Sequence, residues 1–442
     1  PAGEVYRWHE SPGALERLTP PWTKLQIVEE GKIENGSHTK LRQKAGLFSF
    51  NWDVEHREVR EGKSFRDVQL QGPFGSWQHL HRLTQTGAGS SSLLDDIEYK
   101  LPGGALGQLI AGRAVRCELE RTFRFRHARM SADLNATSRY GAVRPMRILL
   151  SGASGLIGRA LIPFLRTQGH EIVRLVRGPA RAQDEVHWDP IAGKLDEHAL
   201  KNIDAVVHLA GLNVAQRWTT AKRKEIWESR VNGTRTLVEA VARLRHRPFV
   251  FVSAAATGYY GSCGANELTE TSPKGSGFLA DLCEAWEREV SAIDELEIRF
   301  AALRTGIVLS PQGGMLGKLL PTFRAGLGAQ MDGGEQFLSW ISIDDMVGAY
   351  YHAILDQRCS GPINAVSPQP VTNREFTQTL ARVLHRPAFL RVPASALRLG
   401  FGEMANETVL SSARVVPEKL QAAGYEFRHP DLEAALKFLL GK

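Results

Sequence analysis

The sequence predicts an α/β protein of two domains, in which a parallel sheet with a small C-terminal lobe follows an α+β domain with a curved antiparallel sheet. Three observations support this fold class. The chain has 442 residues, which is long for one hydrophobic core. Strand-like segments of alternating polarity follow one another through residues 1–130, as in antiparallel sheets. Across residues 146–442, strand patterns alternate with helical patterns, which is typical of a parallel sheet covered by helices.

The composition excludes several classes of protein. Lys and Arg number 55 against 48 Asp and Glu, and no basic run is dense enough for a nucleic-acid interface. The cysteines lie far apart without CxxC spacing, which argues against a disulfide framework or a zinc site and predicts reduced thiols. They are Cys117, Cys263, Cys283 and Cys359. No apolar run approaches the roughly 18 residues of a membrane span, and no signal peptide is visible, so we expect a cytoplasmic protein.

The first domain, residues 1–130, begins with a helix pattern at 12–18 and continues with six strand patterns between turn residues. These strands are predicted at 25–33, 38–45, 48–56, 64–71, 77–85 and 92–99. A helical period then begins at Gly104 and continues to about Met130. Its apolar residues are Leu106, Leu109, Ile110, Ala114 and Cys117. Residues 131–145 lose this period and gain small polar residues, which predicts a linker.

This order of elements would enclose an apolar cavity between the sheet and the long helix. Three stretches, PGALERLTPPW, SWQHLHRL and DIEYKLP, stand at the matching places. On these grounds the first domain resembles the START-like helix-grip superfamily, and in particular its polyketide cyclase/dehydrase-like members. The resemblance implies that a hydrophobic small molecule binds in this domain, and it names no ligand.

Two histidines of the first domain share one face of a predicted strand, because His79 and His81 are two residues apart. Together with His56 they raise the question of a metal site. A complete site needs three or four ligands, and the sequence offers no third ligand at a clear spacing. A pair of histidines in a cavity wall is the commoner arrangement, so we predict no bound metal.

The second domain, residues 146–442, begins with MRILLSGASGLIGRAL, in which three glycines separate a strand pattern from a helix pattern. Gly152 allows a sharp turn, Gly155 lets a diphosphate approach the backbone, and Gly158 lets the helix pack closely. The amides at the helix start then face the anion. This spacing predicts an NAD(P)-binding site of the Rossmann type. Its loop residues are Gly152, Ser154, Gly155, Leu156, Ile157 and Gly158.

The second strand of this domain indicates which nicotinamide cofactor binds. An NAD-binding chain carries Asp or Glu about 20 residues beyond the glycines. Here Arg174 and Arg177 occupy that region, and guanidinium groups suit a 2′-phosphate. We therefore predict NADP(H). The alternative is that both arginines are solvated surface groups. The position of Arg174 inside the strand favours this alternative for Arg174 more than for Arg177.

Further cofactor contacts are predicted at the ends of later strands. Ala210 and Gly211 follow the third strand, where small residues allow the adenosine part to lie against the backbone. Val308 lies in the RTGIVLS stretch. Arg230 either faces the cofactor or braces neighbouring loops, and the sequence leaves this choice open. Asp344 and Asp345 open a helix, where carboxylates stabilise its positive end.

Residues 146–442 resemble an extended short-chain dehydrogenase/reductase of the atypical branch labelled epimerase-family oxidoreductases of unknown substrate. The stretches that carry the resemblance are SGASGLIG, HWDP, HLAG, SRVNGT, ATGYYG, FLADLCEAWE, RTGIVLS and FLSWISIDDM. The resemblance implies a nucleotide domain whose C-terminal lobe closes over a small-molecule substrate.

The chemistry departs from the wider superfamily, whose members use a tyrosine and a lysine four residues later on one helix. This chain has Phe278 and Leu282 there. The remaining candidates for catalysis are Ser253, Thr257 and Tyr259. Tyr260, Gln336 and Trp340 are expected nearby, although the two tyrosines are as readily explained as packing residues.

Two functions remain open at this point. One is an NADP(H)-dependent oxidoreductase that acts on a small or lipid-like substrate. The other is a non-catalytic sensor of NADP(H) and a hydrophobic ligand, which the missing tyrosine and lysine favour. The sequence does not decide the oligomeric state, and a homodimer is compatible with it.

Overall fold

The computed structural model describes residues 1–45, 48–141 and 143–442. Apart from a few residues, the chain divides into two compact units, Pro1–Val143 and 144–440. Among the described residues, no helix is both long enough and apolar enough to cross a bilayer. The four cysteines are all described, and each is a free thiol.

The N-terminal unit is a six-stranded antiparallel sheet with two short helices before it and one long helix after it. The elements are α1 (Ala2–Glu10), α2 (Ala14–Leu18), β1 (Leu25–Glu29), β2 (His38–Ala45), β3 (Phe48–Arg60), β4 (Ser64–Gln71), β5 (Ser76–Gly87), β6 (Ser90–Lys100) and α3 (Gly104–Ser138). Each strand pairs with its neighbour in the sequence, from β1 to β6. The predicted antiparallel sheet is confirmed, whereas the helix-grip assignment stays a prediction.

Helix α3 differs from its sequence prediction in length and in the role of its first half. It continues to Ser138, so residues 131–138 are helical rather than part of a linker. Leu106, Leu109 and Ile110, which mark the predicted helical period, are 64%, 83% and 76% exposed. The buried contacts of α3 come from later residues, including Phe125 and Met130.

A buried ion pair joins α2 to α3. The Arg17 guanidinium donates from Nε and Nη2 to the two carboxylate oxygens of Asp133, each at 2.7 Å. Both side chains are almost completely excluded from solvent. Removing two charges from water is costly, and this cost is offset only when the charges satisfy each other in a two-bond arrangement. The pair therefore fixes how these two helices meet.

The second unit contains an eight-stranded sheet and a smaller C-terminal lobe. Its first elements are β7 (Arg147–Ser151), α4 (Leu156–Thr167), β8 (Glu171–Val176), β9 (Glu185–Asp189), β10 (Lys194–Leu195), β11 (Ala205–His208), α5 (Thr220–Ala242), β12 (Val250–Ala256), β13 (Glu267–Leu268), α6 (Phe278–Ser291) and β14 (Arg299–Thr305). The later elements are β15 (Ile307–Leu309), α7 (Gly314–Arg324), β16 (Ala329–Met331), β17 (Phe337–Leu338), β18 (Trp340–Ser342), α8 (Ile343–Leu355), β19 (Gly361–Ala365), β20 (Val371–Thr372), α9 (Asn373–Leu384), β21 (Leu390–Val392), α10 (Ala394–Phe401), β22 (Arg414–Val415), α11 (Glu418–Ala422) and α12 (Leu432–Leu440).

The large sheet has the strand order β10-β9-β8-β7-β11-β12-β14-β19. All neighbouring pairs are parallel except β10 with β9. The first strand, β7, lies in the middle, and the chain winds outward to both sides of it. This is the Rossmann order, in which ligands bind at the carboxyl ends of the strands where the order reverses. The predicted parallel sheet is confirmed.

Buried apolar side chains and caps hold the later elements of this unit together. Phe323, Phe376 and Leu436 belong to one core cluster of α7, α9 and α12. A capping box begins α9, because Thr372 accepts from the Glu375 amide and the Glu375 carboxylate accepts from the Thr372 amide.

A carboxylate in the first turn of helix α8 binds the C-terminal segment of the chain. Asp344 and Asp345 lie in its first turn. The Asp345 carboxylate accepts the amides of Arg428 and His429 at 2.6 and 3.0 Å. This aspartate therefore fixes a loop as well as stabilising the helix start.

Candidate functional site

The glycine loop lies at the point where the strand order reverses, between β7 and β11. Gly152 follows β7 with φ +74°, a conformation that suits glycine. A Cβ on Gly152 would lie 2.7 Å from the carbonyl carbon of Leu209, just after β11. The two loops at this edge therefore meet through backbone alone, and a side chain would force them apart.

The three glycines of the loop have different structural requirements. A Cβ on Gly158 would lie 2.4 Å from the carbonyl oxygen of Gly152, so α4 packs against the loop only because this side chain is missing. Gly155 is exposed, and a Cβ there would meet only the Gly152 oxygen, at 3.2 Å. Ser154 is also exposed. The outer surface of the loop thus has a small side chain at Ser154 and none at Gly155. The Gly155 amide donates to the Gly152 carbonyl at 3.0 Å, whereas the amides of the first turn of α4 lack helical acceptors.

The side chains of Leu156 and Ile157 point away from this bare surface. Both are partly buried against the core cluster that contains Leu309 and Trp340. Val308 is partly buried against the same cluster. Through these residues the start of α4 is anchored by apolar packing, while its backbone stays at the edge of the sheet.

A chain of neutral hydrogen bonds lies beneath the loop. The Ser151 oxygen accepts the amides of Leu209 and Ala210 at 3.1 and 3.2 Å, so its hydroxyl hydrogen is left for His208 Nδ1 at 2.7 Å. His208 Nε2 then carries a hydrogen and donates it to Thr234 Oγ1 at 3.0 Å. All three side chains are fully buried. They hold the ends of β7 and β11 together.

His208 stays neutral at ordinary pH. Burial, together with the positive charge of Arg230, lowers the pKa of His208 to about 4. Sequence reasoning missed this histidine because nothing in the HLAG stretch shows that Ser151 and Thr234 lie beside it. Only the parallel register, which places Ser151 opposite His208, brings the first two together.

The two arginines predicted to read a 2′-phosphate have different surroundings. Arg174 donates from Nε and Nη2 to the carboxylate of Asp184 at 2.8 and 2.7 Å, and Glu185 lies 3.2 Å away. Its charge is therefore already matched within the sheet, and it is not a free surface group. Arg177 lies just past β8, is exposed, and has no hydrogen-bond or ion-pair partner among the described residues.

Arg230 braces the loop after β11. Its Nη2 donates to the carbonyl oxygen of Leu212 at 2.9 Å, and its guanidinium lies 5.2 Å from the Trp286 ring centre. A Cβ on Gly211 would lie 3.1 Å from the Arg230 guanidinium carbon. The sequence left open whether Arg230 faces the cofactor or braces neighbouring loops, and these contacts correspond to bracing. Ala210 is partly buried against the apolar core of this unit.

The three predicted catalytic residues are not equally accessible. Ser253 is fully buried, and its hydroxyl donates to the carbonyl oxygen of Ala254 at 3.0 Å, so it presents no surface to a substrate. Thr257 is partly buried, and its hydroxyl donates to the Thr305 carbonyl at 3.4 Å. Tyr259 is partly buried, with the Arg304 guanidinium 3.6 Å from its ring centre.

Tyr260 is a structural residue of this loop. It is fully buried, its hydroxyl lies 2.7 Å from Asn364 Oδ1, and it accepts from Arg304 Nη1 at 2.9 Å. Burial raises the pKa of Tyr260 to about 12. Arg304 in turn donates two 2.8 Å bonds to Glu287. This network holds the turn that carries Tyr259.

The other two residues expected near the nicotinamide also point into the protein. The Trp340 indole donates to the Gln369 carbonyl at 2.9 Å, and the Gln336 amide donates to the Met331 carbonyl at 3.2 Å. Both side chains are buried.

Helix α6 begins with Phe278, and a carboxylate from a distant part of the chain accepts hydrogen bonds from its first amides. Glu407 accepts the amides of Phe278 and Leu279 at 3.1 and 2.8 Å. It lies in a π-helical turn, Ala405–Val409. Leu282 is buried. Glu407 was missed by sequence reasoning because it is separated from α6 by more than a hundred residues.

The N-terminal unit contains a second group of titratable residues, around His79 and His81. Asp67 of the neighbouring strand supplies the third candidate metal ligand that the sequence did not reveal, and the donor atoms of the three residues lie within 4.8 Å of one another. Burial opposes a charge on His81, but the carboxylates of Asp67 and Asp95 raise its pKa to about 9. His81 and Asp95 also line a small cavity with Leu18, Phe123 and Arg126, so its wall is not purely apolar.

Comparison with known proteins places the second unit in a family. Residues 148–365 match the NAD dependent epimerase/dehydratase family, and residues 392–439 match a domain of unknown function, DUF1731. An epimerase family protein of Mycobacterium bovis is 41% identical over 292 residues, which cover 66% of this chain and 96% of that protein.

Two solved structures show the same relationship. The nucleoside-diphosphate sugar epimerase from Corynebacterium glutamicum superposes with a TM-score of 0.82 and 31% identity, covering 100% of this chain and 88% of that one. The human epimerase family protein SDR39U1, solved with NADPH, has a TM-score of 0.61 and 34% identity, covering 67% of this chain and 99% of that one. The bare glycine loop, the Rossmann strand order and these relatives together show that the chain belongs to the epimerase family proteins, the SDR39U1-like branch of the short-chain dehydrogenases/reductases.

Proposed function

We propose that the chain is an NADP(H)-dependent oxidoreductase of this branch, acting on a small-molecule substrate. The observation that carries the proposal is the glycine loop at the start of α4, where Ser154 and Gly155 are exposed with a small side chain or none and the strand order reverses. Exposed helix-start amides attract a diphosphate. In the human relative SDR39U1 the solved complex contains NADPH, which supports the same cofactor here.

Arg177 would select NADP(H) over NAD(H) by pairing with the 2′-phosphate. The exposure of Arg177 and its position past β8 support this role, whereas the Arg174 guanidinium is already paired with the Asp184 carboxylate. A charged hydrogen bond contributes about 1.5–3 kcal/mol, so Arg177→Ala should weaken NADPH binding by roughly 10- to 100-fold and leave NADH almost unchanged. Isothermal titration of both nucleotides measures this difference.

Arg181→Ala is the matched control, because Arg181 is an exposed arginine of the same loop. It should leave both affinities within about twofold, since surface charges at a distance are screened by salt. Equal losses of NADPH and NADH in Arg177→Ala would remove the 2′-phosphate assignment. If neither nucleotide bound the unaltered chain, the whole proposed function would be wrong.

In the reaction, hydride would pass between the nicotinamide and a substrate carbonyl or alcohol carbon. Of the three catalytic candidates, Tyr259 remains the best suited to hydrogen-bond the substrate oxygen, because Ser253 is buried and Thr257 donates to a backbone carbonyl. Tyr259→Phe should lower the turnover of NADPH with a carbonyl substrate by roughly 100-fold, the usual scale of a polarising or proton-donating group. Nucleotide affinity should not change, because the ring and its stacking on Arg304 are kept.

The first domain would present or bind a ligand with an apolar body, as its START-like resemblance implies. The cavity beside Leu18, Phe123 and His81 has room for about one water molecule, so a ligand would bind only if the cavity opened. Quenching of a fluorescent fatty-acid probe by the full chain, and its loss when Leu93→Trp fills the cavity, would support this role.

A non-catalytic sensor is the second candidate. Phe278 and Leu282 replace the tyrosine and lysine of the wider superfamily, and this favours binding without turnover. Screening NADPH oxidation against a library of aldehydes, ketones and sugar nucleotides separates the two. Tight NADPH binding with no oxidation above the rate without protein would favour the sensor.

A further inference from the structure

Two histidines and two aspartates face each other across three strands inside the N-terminal sheet. In the antiparallel register, Asp67 of β4 stands opposite His79 of β5, and Asp95 of β6 stands opposite His81 of β5. His79 and His81 are both buried, and their ring centres are 3.9 Å apart. Side chains directly opposite each other on one face are close neighbours, so register alone assembles this group.

The nitrogen atoms on one side of the two rings converge on one oxygen of Asp67. His81 Nε2 lies 3.4 Å and His79 Nδ1 lies 3.9 Å from Asp67 Oδ2. Ligands that bind one zinc-sized ion at about 2.0–2.2 Å with tetrahedral angles are roughly 3.3–3.6 Å apart. The two separations from Asp67 are within a few tenths of an ångström of this range, and the donor atoms of all three residues lie within 4.8 Å of one another, so the two imidazoles would draw together around an ion.

We propose that His79, His81 and Asp67 form a site for one divalent first-row transition-metal ion. Two imidazoles and one carboxylate suit zinc, iron or manganese rather than the soft ligand sets of copper(I). Three protein ligands leave a fourth position open, as in catalytic rather than structural zinc sites. His81 also borders the small cavity, which has room for about one water molecule to take the open position of an ion held on this residue.

Each proposed ligand has a second ring nitrogen or carboxylate oxygen that would not bind the ion. These second atoms contact further side chains, as they do in known metal sites. Asp95 Oδ1 lies 3.0 Å from His79 Nε2 and 2.8 Å from His81 Nδ1, although the second contact is poorly directed for a hydrogen bond. The second oxygen of Asp95 contacts His127. Asp67 Oδ1 pairs with His56 Nδ1 at 2.7 Å. A carboxylate on the far nitrogen of a ligating histidine fixes its tautomer and ring orientation.

The test is metal binding by the full chain after removal of bound metal with a chelator. We expect one Co²⁺ ion per chain, detected by visible absorption bands of a low-symmetry site, and displacement of Co²⁺ by Zn²⁺ in a competition titration. Asp67→Asn and His81→Asn should each weaken binding by at least about 100-fold, and Asp95→Asn by roughly 10- to 100-fold.

The control is His38→Gln, because His38 is a partly exposed histidine of the same sheet that pairs with Asp53 at 3.1 Å. It should bind Co²⁺ like the unaltered chain. Circular dichroism and NADPH titration show whether each variant is folded, independently of the metal. No binding by the folded chain, or unchanged binding in Asp67→Asn, would overturn the proposal and leave a metal-free ion-pair cluster.

Discussion

The sheet interior of the N-terminal unit and the glycine edge of the second unit use their buried polar groups in opposite ways. The N-terminal unit gathers charges, with the Arg17–Asp133 pair and the aspartates and histidines of the inner sheet face. At its glycine edge, the second unit uses the neutral chain Ser151–His208–Thr234 and bare backbone. A charged interior is sensitive to the loss of one partner, whereas a neutral one is sensitive to gaining a proton. The weak points of the two regions therefore differ in kind, and each can be tested.

The largest expected effect concerns the charged interior. Asp133→Asn removes the carboxylate charge that pairs with the buried Arg17 guanidinium, and we expect a loss of about 3–5 kcal/mol in the free energy of unfolding of the N-terminal unit. Denaturant titration combined with hydrogen exchange of the strand amides measures it. Asp53→Asn, at the partly exposed His38 pair, should cost less than about 1 kcal/mol. Similar losses in the two variants would contradict the comparison.

A smaller effect concerns the neutral chain. Thr234→Val removes the acceptor of His208 Nε2–H and leaves a buried donor unsatisfied, which should cost about 1–3 kcal/mol. The matched control is Thr236→Val, two residues later on α5, where the hydroxyl only donates to the Asn232 carbonyl of the preceding turn. Thermal unfolding of the two variants should separate them clearly. Equal stability would show that the chain of hydrogen bonds contributes little.

Protonation should weaken the same neutral chain. The pKa of His208 in the folded state, about 4, lies below its value of about 6.5 in an unfolded chain, so the unfolded state binds the proton first as the pH falls. Stability is therefore present above about pH 6.5 and is lost on the way down to pH 4. From pH 7 to 5.5 this group should cost about 1 kcal/mol.

Denaturant unfolding at the two pH values measures this loss. The difference in slope between the unaltered chain and His208→Gln isolates it, because His170, whose pKa burial also lowers to about 4, remains in both. A slope that does not change in His208→Gln would show that this histidine is not the group responsible.

The smallest effect concerns the exposed first half of α3. Leu109→Ser should change stability by less than about 0.5 kcal/mol, because the side chain is 83% exposed, whereas Met130→Ala should cost about 2–5 kcal/mol. Both are measured by denaturant unfolding. A loss above about 1 kcal/mol in Leu109→Ser would mean that another surface covers this stripe in solution.

The comparison also explains what could be predicted from the sequence. The glycine loop was predictable because its requirements are local, with Gly152, Gly155 and Gly158 three residues apart between one strand and one helix. The antiparallel and parallel sheets were predictable from polarity patterns for the same reason. The exposed stripe of α3 shows the limit, since helical spacing says which residues share a face but not whether anything covers that face.

The contacts that depend on register or on distant segments were not predictable. Asp67 lies beside His79 only because β4 and β5 pair in one register, and a shift by one residue would turn it to the other face. Arg174 was expected at a cofactor, and its partner Asp184 came into view only with the pairing of β8 and β9. The role of Arg230 was undecidable for the same reason, because the Leu212 carbonyl it binds lies on another segment.

The carboxylate of Glu407 gives the sheet edge an asymmetry between its helices. Two helices, α4 and α6, follow strands of this edge, and a helix start normally offers a partial positive charge to any passing anion. At α6 the Glu407 carboxylate already neutralises this partial charge, whereas no side-chain carboxylate does so at α4 among the described residues. A phosphate group can therefore bind at the start of α4, whereas at the start of α6 the Glu407 carboxylate occupies the same position.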